Sequence, residues 1–399
     1  MKWIRTALGI GVAIALGAMS TISASAQEGE PIKIGVPMPL TGPLAQAGQL
    51  ILQGIEFATK EANDAGGLLG RKIELVIEDT KSEPNTAATI GAKMATQDKV
   101  FAFVGGYGST SDIALLQSVR RYSPIFVHAA SSSTKIEQAF GKEDWYFHVY
   151  IWDYHRQKAA TRFFESITPK PKTVAIAYED GLYGSDAARF SEEYLPKGGF
   201  DIVMREPFKG GSPDFSSILT KVKSLNPDVF FLVAYSGDNI QVARQIRDLD
   251  IKPKLLLIVS AGEKRTDFGD FGPGVAVIGE WAREQKTEGL QDFIQRAEAF
   301  LPGDVPVQAP VVQGYTAMLT LIEGVKAAGS FDRDKVLKAL AEQTYNSPYG
   351  PIKYKPSEGG AKHQLLTDEN MIAWQYKNEG QAVVWPPEKA SGQLQYPAN

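Results

Sequence analysis

Not one of the 399 residues is a cysteine, which excludes disulfides, thiolate metal sites, thiol redox chemistry and a lipid-bearing cysteine anchor. Histidine is scarce as well. The four present, His128, His148, His155 and His363, show no HExxH or comparable ligand spacing. No G-x-x-x-x-G-K-[ST] phosphate loop occurs, and GGYGSTSD fails as a dinucleotide fingerprint because Ser111 stands where its third glycine belongs. Positive charge is not in excess either. With 42 Lys and Arg against 46 Asp and Glu, the net charge is −4, and a mildly acidic surface gives no footprint for nucleic acid. Nothing calls for a cofactor or a metal.

What is present begins with MKWIRTALGIGVAIALGAMSTISASAQ. Lys2 and Arg5, an apolar run from Ala7 to Met19 and the small residues Ala24-Ser25-Ala26 have the three-part layout of a secretory signal. The apolar run is shorter than the roughly 20 residues a spanning helix needs. The expectation is export to the periplasm with cleavage near Ala26, residues 1–26 being the signal peptide, and no stable membrane anchor. Loss of Lys2 and Arg5 would take the net charge to −6. The remainder exceeds the roughly 250–300 residues at which single cores stop growing, so two lobes are expected.

The remainder alternates. IKIGVPMPL reads as a strand, followed by a Gly/Pro turn at Thr41–Pro43 and a helix with Ile51, Ile55, Ala58 and Ala62 on one stripe. That helix stops at Ala65-Gly66-Gly67, and KIELVIED follows as a second strand. Strand–helix pairs continue through VFAFVGG/SDIALLQSVRRYS, PIFVHAA/SSSTKIEQAF and WYFHVY/YHRQKAATRFFESI. A second series runs KTVAIAYED, SDAARFSEEYL, FDIVMREPF, DFSSILTKVKSLN, DVFFLVAY, NIQVARQIRDL and KLLLIVS. Apolar strands alternating with amphipathic helices predict parallel sheets covered on both faces, hence an α/β chain of two doubly wound lobes. From Gly289 three consecutive helices follow, then PIKYKP and a hairpin, MIAWQYKNEGQAVVWP, turning at Asn378–Gly380.

The block TGPLAQ…G…G.E.A..E.N..GG..G, ending in EDTKSEP, resembles the opening of the periplasmic leucine/isoleucine/valine-type (type I) binding proteins, the solute receptors of ABC importers. The resemblance implies two α/β lobes joined by a three-strand hinge, with crossings near Tyr150–Trp152, Gly279–Trp281 and Tyr349–Tyr354. It divides the chain into a first lobe of residues 31–150 plus 281–350 and a second of 151–280 plus 351–390. It further implies a non-enzymatic receptor for a small carboxylate, a branched-chain amino acid or a related or aromatic acid. Its partners would be a membrane permease and an ATPase.

Within that frame the loop GGYGSTSD ends a strand and opens a helix, whose free first-turn N–H groups suit a carboxylate. Ser109 and Thr110 are the candidates there; a plain helix cap is the simpler reading of either. The resemblance places Ala130 and Ser131, in HAASSST, beside them, with Ser132 one residue away in register. It assigns Tyr183 and Tyr235 to the opposing lobe, and Asp153 or Glu263 to a ligand ammonium, Glu263 being offset by one residue from the family pattern. Tyr107, Tyr150, Trp152 and Trp281 add aromatic character to the cleft edge, and Ala47 replaces a bulky aromatic of close family members. Flat aromatic walls favour a planar acid. Two other classes are compatible with export. A serine-type hydrolase of small esters would use Ser131 with His128 and Asp153, although no G-x-S-x-G elbow surrounds Ser131. A sensory module would need a separate membrane partner.

Overall fold

The computed structural model describes residues 29–259, 266–268, 274–303, 306–377 and 380–397. The expected signal peptide and Glu263 lie outside the described residues, as do Asn378 and Glu379 at the hairpin turn.

Five strands, β1 (Ile32–Met38), β2 (Ile73–Asp79), β3 (Ala102–Gly105), β4 (Ile125–His128) and β5 (Tyr146–His148), form a parallel sheet in the order β2-β1-β3-β4-β5. The next five, β6 (Thr173–Glu179), β7 (Asp201–Phe208), β8 (Val229–Val233), β9 (Leu256–Ile258) and β10 (Val275–Gly279), repeat that order as β7-β6-β8-β9-β10. They too are parallel. The two series are therefore one topology used twice. β3, β4, β5 and β8 are buried along their whole lengths, which is why they read as unbroken apolar runs. β7 departs from that description: it is an edge strand whose residues are largely in partial or full contact with solvent. β10 (VAVIG) is a strand that the sequence reading passed over.

The helices lie between strands. α1 (Ala45–Asp64) buries Ile51, Ile55, Ala58 and Ala62 as its spacing predicts. A fully buried Ile contributes roughly 1.5–3 kcal/mol over an exposed one. α2 (Pro84–Lys93), not expected from sequence, runs into a π turn at Met94–Asp98. α3 (Ser109–Val119), α4 (Thr134–Phe140), α5 (Asp153–Ser166), α6 (Leu182–Tyr194), α7 (Ser216–Leu225) and α8 (Ser236–Asp248) complete both series.

After β10 come α9 (Leu290–Phe300), α10 (Ala309–Ala328) and α11 (Arg333–Glu342), which return to the first sheet. Phe57 of α1 meets Phe293 and Phe300 of α9, with ring centroids 6.1 and 5.3 Å away. α10 packs along α1 backbone to backbone: a Cβ on Gly54 would stand 2.0 Å from the Val311 oxygen, and one on Gly314 would stand 1.9 Å from the Ile51 oxygen. β11 (Thr344–Ser347) and β12 (Gly350–Lys353) form an antiparallel pair. The chain then runs along the edge of β5, where Leu365 and Leu366 donate N–H bonds to His148 and Val149. It leaves that edge after Leu366, beyond the Tyr349–Tyr354 stretch expected for the third crossing. β13 (Ile372–Lys377) and β14 (Gly380–Trp385) are the expected hairpin and join the second sheet antiparallel beside β10.

Candidate functional site

In sheets of this order the chain reverses direction between β1 and β3 and again between β6 and β8, leaving a crevice at the carboxyl ends of the strands. A cavity of about 450 Å³, mouth included, opens there between the two sheets. Its wall comes from the loops after β3 (Tyr107, Gly108, Ser109), β4 (Ser131, Ser132), β5 (Tyr150), β8 (Ala234, Tyr235) and β9 (Val259). The first turns of α5 (Arg156), α6 (Tyr183) and α10 (Pro310, Gln313) close it.

The serines have different work. Gly108 precedes α3 with φ of 104°, a conformation glycine adopts without strain, and no side chain caps the helix. Ser109 instead turns its Oγ across to accept from the Ser133 amide at 3.3 Å, which leaves its own hydrogen to donate. Ser133 is the plain cap of the run, accepting from Lys135 N. Ser132 Oγ accepts from Arg156 Nη1 at 3.3 Å, and its hydroxyl bonds the Asp153 carboxylate. Ser131 has φ of 141°, unusual for a residue with a side chain, and its hydroxyl donates to Asp112 Oδ2 at 2.7 Å.

That last bond overturns the hydrolase geometry. His128 Nε2 lies 2.9 Å from the same Asp112 oxygen, and its Nδ1 lies 2.6 Å from the Tyr146 hydroxyl. Asp112 therefore stands between serine and histidine, and Asp153 is elsewhere. A nucleophile needs the base on its own hydroxyl, and here the hydroxyl is spent on a carboxylate.

Thr110 does not line the cavity. It sits at the seam, where its Oγ1 accepts from Leu182 N of the opposing lobe at 3.2 Å. Ala130 is buried behind the wall, and Ala47 is buried on α1 away from it. Tyr183 and Tyr235 face each other with ring centroids 5.3 Å apart, and Tyr107 from the first lobe meets Tyr235 edge-on at 5.8 Å. Burial pushes the Tyr183 and Tyr235 phenols well above their ordinary range, so both remain protonated donors. The Tyr183 hydroxyl is buried with no partner. Four of the aromatics named from sequence thus reach the cavity. Trp152 does not: it is fully buried and stacks on His148 at 3.6 Å. Trp281 lines a separate hollow with Trp374.

Asp153 is the first residue of α5, fully buried and absent from the wall; its Oδ1 takes Arg156 Nη1 at 2.5 Å. Its partner is thus a protein cation rather than a ligand ammonium. Burial lifts the Asp153 carboxyl to about 7, with Arg156 pulling the other way. Sequence reasoning missed the polar wall residues Gln313 and, above all, Arg156. Arg156 is 1% exposed, and its Nη2 donates to the Tyr150 hydroxyl at 3.0 Å. The rings of Tyr150 and Tyr183 flank it at 5.6 and 5.5 Å, and its Nε has no partner. Burial works against its charge, but Tyr150, Tyr183 and Asp153 more than offset that and keep it protonated. The i, i+3 spacing from Asp153 was the available signal.

Among the described residues, no group of three or more His, Asp or Glu is placed to hold a metal ion, and no helix is long and apolar enough to cross a membrane.

A sequence profile of the periplasmic binding protein family matches residues 31–380. Leu/Ile/Val-binding protein homolog 7 of Brucella melitensis is 22% identical over 400 residues, covering 96% of this chain and 98% of that protein. Leu/Ile/Val-binding protein BraC3 of Rhizobium johnstonii is 28% identical over 320 residues, covering 78% and 83%. Among solved structures, a solute-binding protein of an R. palustris ABC transporter, in complex with benzoate, superposes with a TM-score of 0.79 at 19% identity, covering 92% of this chain and 98% of that one. A leucine-binding protein from Thermotoga maritima gives 0.77 at 22% identity, covering 90% and 99%.

Proposed function

The chain belongs to the periplasmic binding protein family, and from that premise we propose that it is an exported receptor of an ABC importer. It captures a small carboxylate, a branched-chain amino acid or a related or aromatic acid, and delivers it to a membrane permease driven by an ATPase. The signal peptide ends near Ala26, the lobes are residues 31–150 plus 281–350 and 151–280 plus 351–390 with the last division moved to just after Leu366, and the protein performs no chemistry on its solute. One observation carries the reading: a cavity between two matched sheets, at their carboxyl ends, walled by Ser109 and Ser131 on one side and Tyr183 and Tyr235 on the other. Solutes named for relatives in this fold support it, benzoate in one and isoleucine in another. The lobes close on the solute because contacts to both favour the closed form, and only that difference moves the equilibrium.

A thermal-shift screen of the chain from residue 27 onward tests this, with branched-chain and polar amino acids beside benzoate and cinnamate. At 100 times its dissociation constant a true ligand adds about 2.7 kcal/mol of stability. A clear upward shift with one of these acids is expected; no shift with any of them overturns the reading.

A further inference from the structure

We infer that the solute is an aromatic carboxylate with no amino group beside its carboxylate, and that Arg156 and Tyr183 are the residues that select it. This rests on the reading of the cleft as a carboxylate site. Hydrogen-bonding capacity on the wall points to it. A carboxylate offers about four lone-pair sites, and an ammonium offers three N–H groups that need acceptors. At the serine end of the cavity the Ser109 hydroxyl accepts from a protein donor and keeps its hydrogen for a ligand. The Tyr183 hydroxyl and Arg156 Nε are buried donors without partners, on residues that line the same cavity. Three donors are thus left on this wall for a carboxylate. The acceptors on the wall are uncharged: the Ser131 hydroxyl has spent its hydrogen on Asp112, and the Gln313 amide has given its Nε2 to Glu280.

Charge points the same way. Arg156 is the one charged side chain among the described residues of the wall. Asp153 balances it from behind without reaching the wall. An ammonium next to the bound carboxylate would meet the guanidinium edge in a space shielded from water, where like charges repel strongly. The remaining surface is planar and apolar, from Tyr107, Tyr235 and the Tyr183 ring, which stacks with an aryl group better than with a branched chain.

Calorimetric titration with matched pairs isolates the amino group: 3-phenylpropanoate against phenylalanine, and 4-methylpentanoate against leucine, with benzoate and 4-hydroxybenzoate alongside. Each acid without the amino group should bind at least about 100-fold more tightly than its amino partner, and aryl acids more tightly than 4-methylpentanoate. Tyr183→Phe keeps the ring and should weaken aryl-acid binding about 5- to 10-fold. Arg156→Gln should weaken it about 30-fold or more, with Arg156→Lys recovering part of the loss. Because Arg156 is buried, Tyr183→Phe serves as the test in a protein whose packing is unchanged. Phenylalanine or leucine binding as tightly as its des-amino partner, undisturbed by Tyr183→Phe, overturns this inference and leaves the carboxylate receptor standing. Failure of every acid and amino acid in the set overturns both.

Discussion

Asp186 in α6 reaches across the cleft and holds the N-terminus of α4. Its Oδ2 accepts from the Thr134 amide and the Thr134 hydroxyl, each at 2.6 Å, and from the Ser133 hydroxyl at 3.4 Å. The carboxylate is nearly fully buried, and its other oxygen takes Arg189 from the same helix at 2.6 Å. The α4 groups belong to the first sheet and Asp186 to the second, so these bonds exist only while the lobes are together. Parting them rehydrates donor and acceptor alike, which returns most of the energy. One charged hydrogen bond's net worth, about 2 kcal/mol, is the reasonable share left to closure. Asp186→Ala should therefore move the closed-to-open equilibrium about 30-fold toward open. Asp186→Asn keeps one accepting oxygen and should move it about 5-fold.

Since the apparent dissociation constant is the intrinsic one divided by the closed fraction, solute affinity should fall by up to those factors, in full where the closed form is the minor state without solute. No side chain on the cavity wall is altered. Titration with benzoate or leucine reads the affinity. Closure is read independently by energy transfer between dyes on cysteines introduced at Lys60 and Lys197, exposed positions in a chain with no cysteine of its own. If Asp186→Ala binds as tightly as the unmodified chain and shows the same transfer efficiency, the bonds to α4 do not bias closure and the reasoning fails.

Two further outcomes follow from the packing. Gly54→Ala or Gly314→Ala should each cost about 2–3 kcal/mol in urea denaturation, because each Cβ would enter a facing backbone carbonyl of the α1–α10 pair. The double variant should cost less than the sum, since one widening relieves both clashes, and a loss under about 0.5 kcal/mol for either would show that the helices are not in backbone contact. His155 accepts a hydrogen bond from Trp152 N and is held down to about 4, chiefly by burial and also by Lys158 and Arg156, with Asp368 opposing. A histidine with a depressed pKa folds as the neutral form. Its contribution is intact above the unfolded value near 6.5 and is lost as pH falls toward 4, at up to about 1.4 kcal/mol per pH unit. The stability gap between the unmodified chain and His155→Gln should therefore shrink from pH 7 to pH 4, and a gap that stays constant refutes the assignment.

Much of the architecture was legible because parallel strands covered on both faces announce themselves as apolar runs. β8 (VFFLV) and β3 (AFVG) cannot be mistaken for half-exposed strands. β10 (VAVIG) was equally apolar, but the sequence before it, SAGEKRTDFGDFGPG, has no amphipathic helical spacing, so the alternation that identified its neighbours gave no cue. The loops that build the cavity were legible for the same reason as the strands: each lies at a strand's carboxyl end, and Tyr107, Ser109, Ser131, Tyr150, Tyr183 and Tyr235 all reach it. Trp152 and Trp281 occupy similar places in the chain, yet one is consumed by stacking on His148 and the other by a neighbouring hollow.

Arg156 and Asp112 were hidden by a different cause. A charged residue in the first turns of a helix reads as a solvated face or a response to the helix dipole, and both readings are right far more often than not. What changes the meaning of Arg156 is the crossing just before it. Asp153 N bonds to Ser132 O, which turns the start of α5 inward over the β4 loop, so a side chain one turn along points at the cavity. What changes Asp112 is the backbone of Ser131 at φ of 141°, which brings that hydroxyl back onto α3. Four consecutive hydroxyl residues, Ser131 to Thr134, are chemically interchangeable in the sequence. In the fold one donates to Asp112, one accepts from Arg156, one caps α4 and one is held by Asp186. Donor or acceptor character toward a ligand is therefore set by what stands behind each hydroxyl, and that is why the sequence could locate the site before it could name the charge of its occupant.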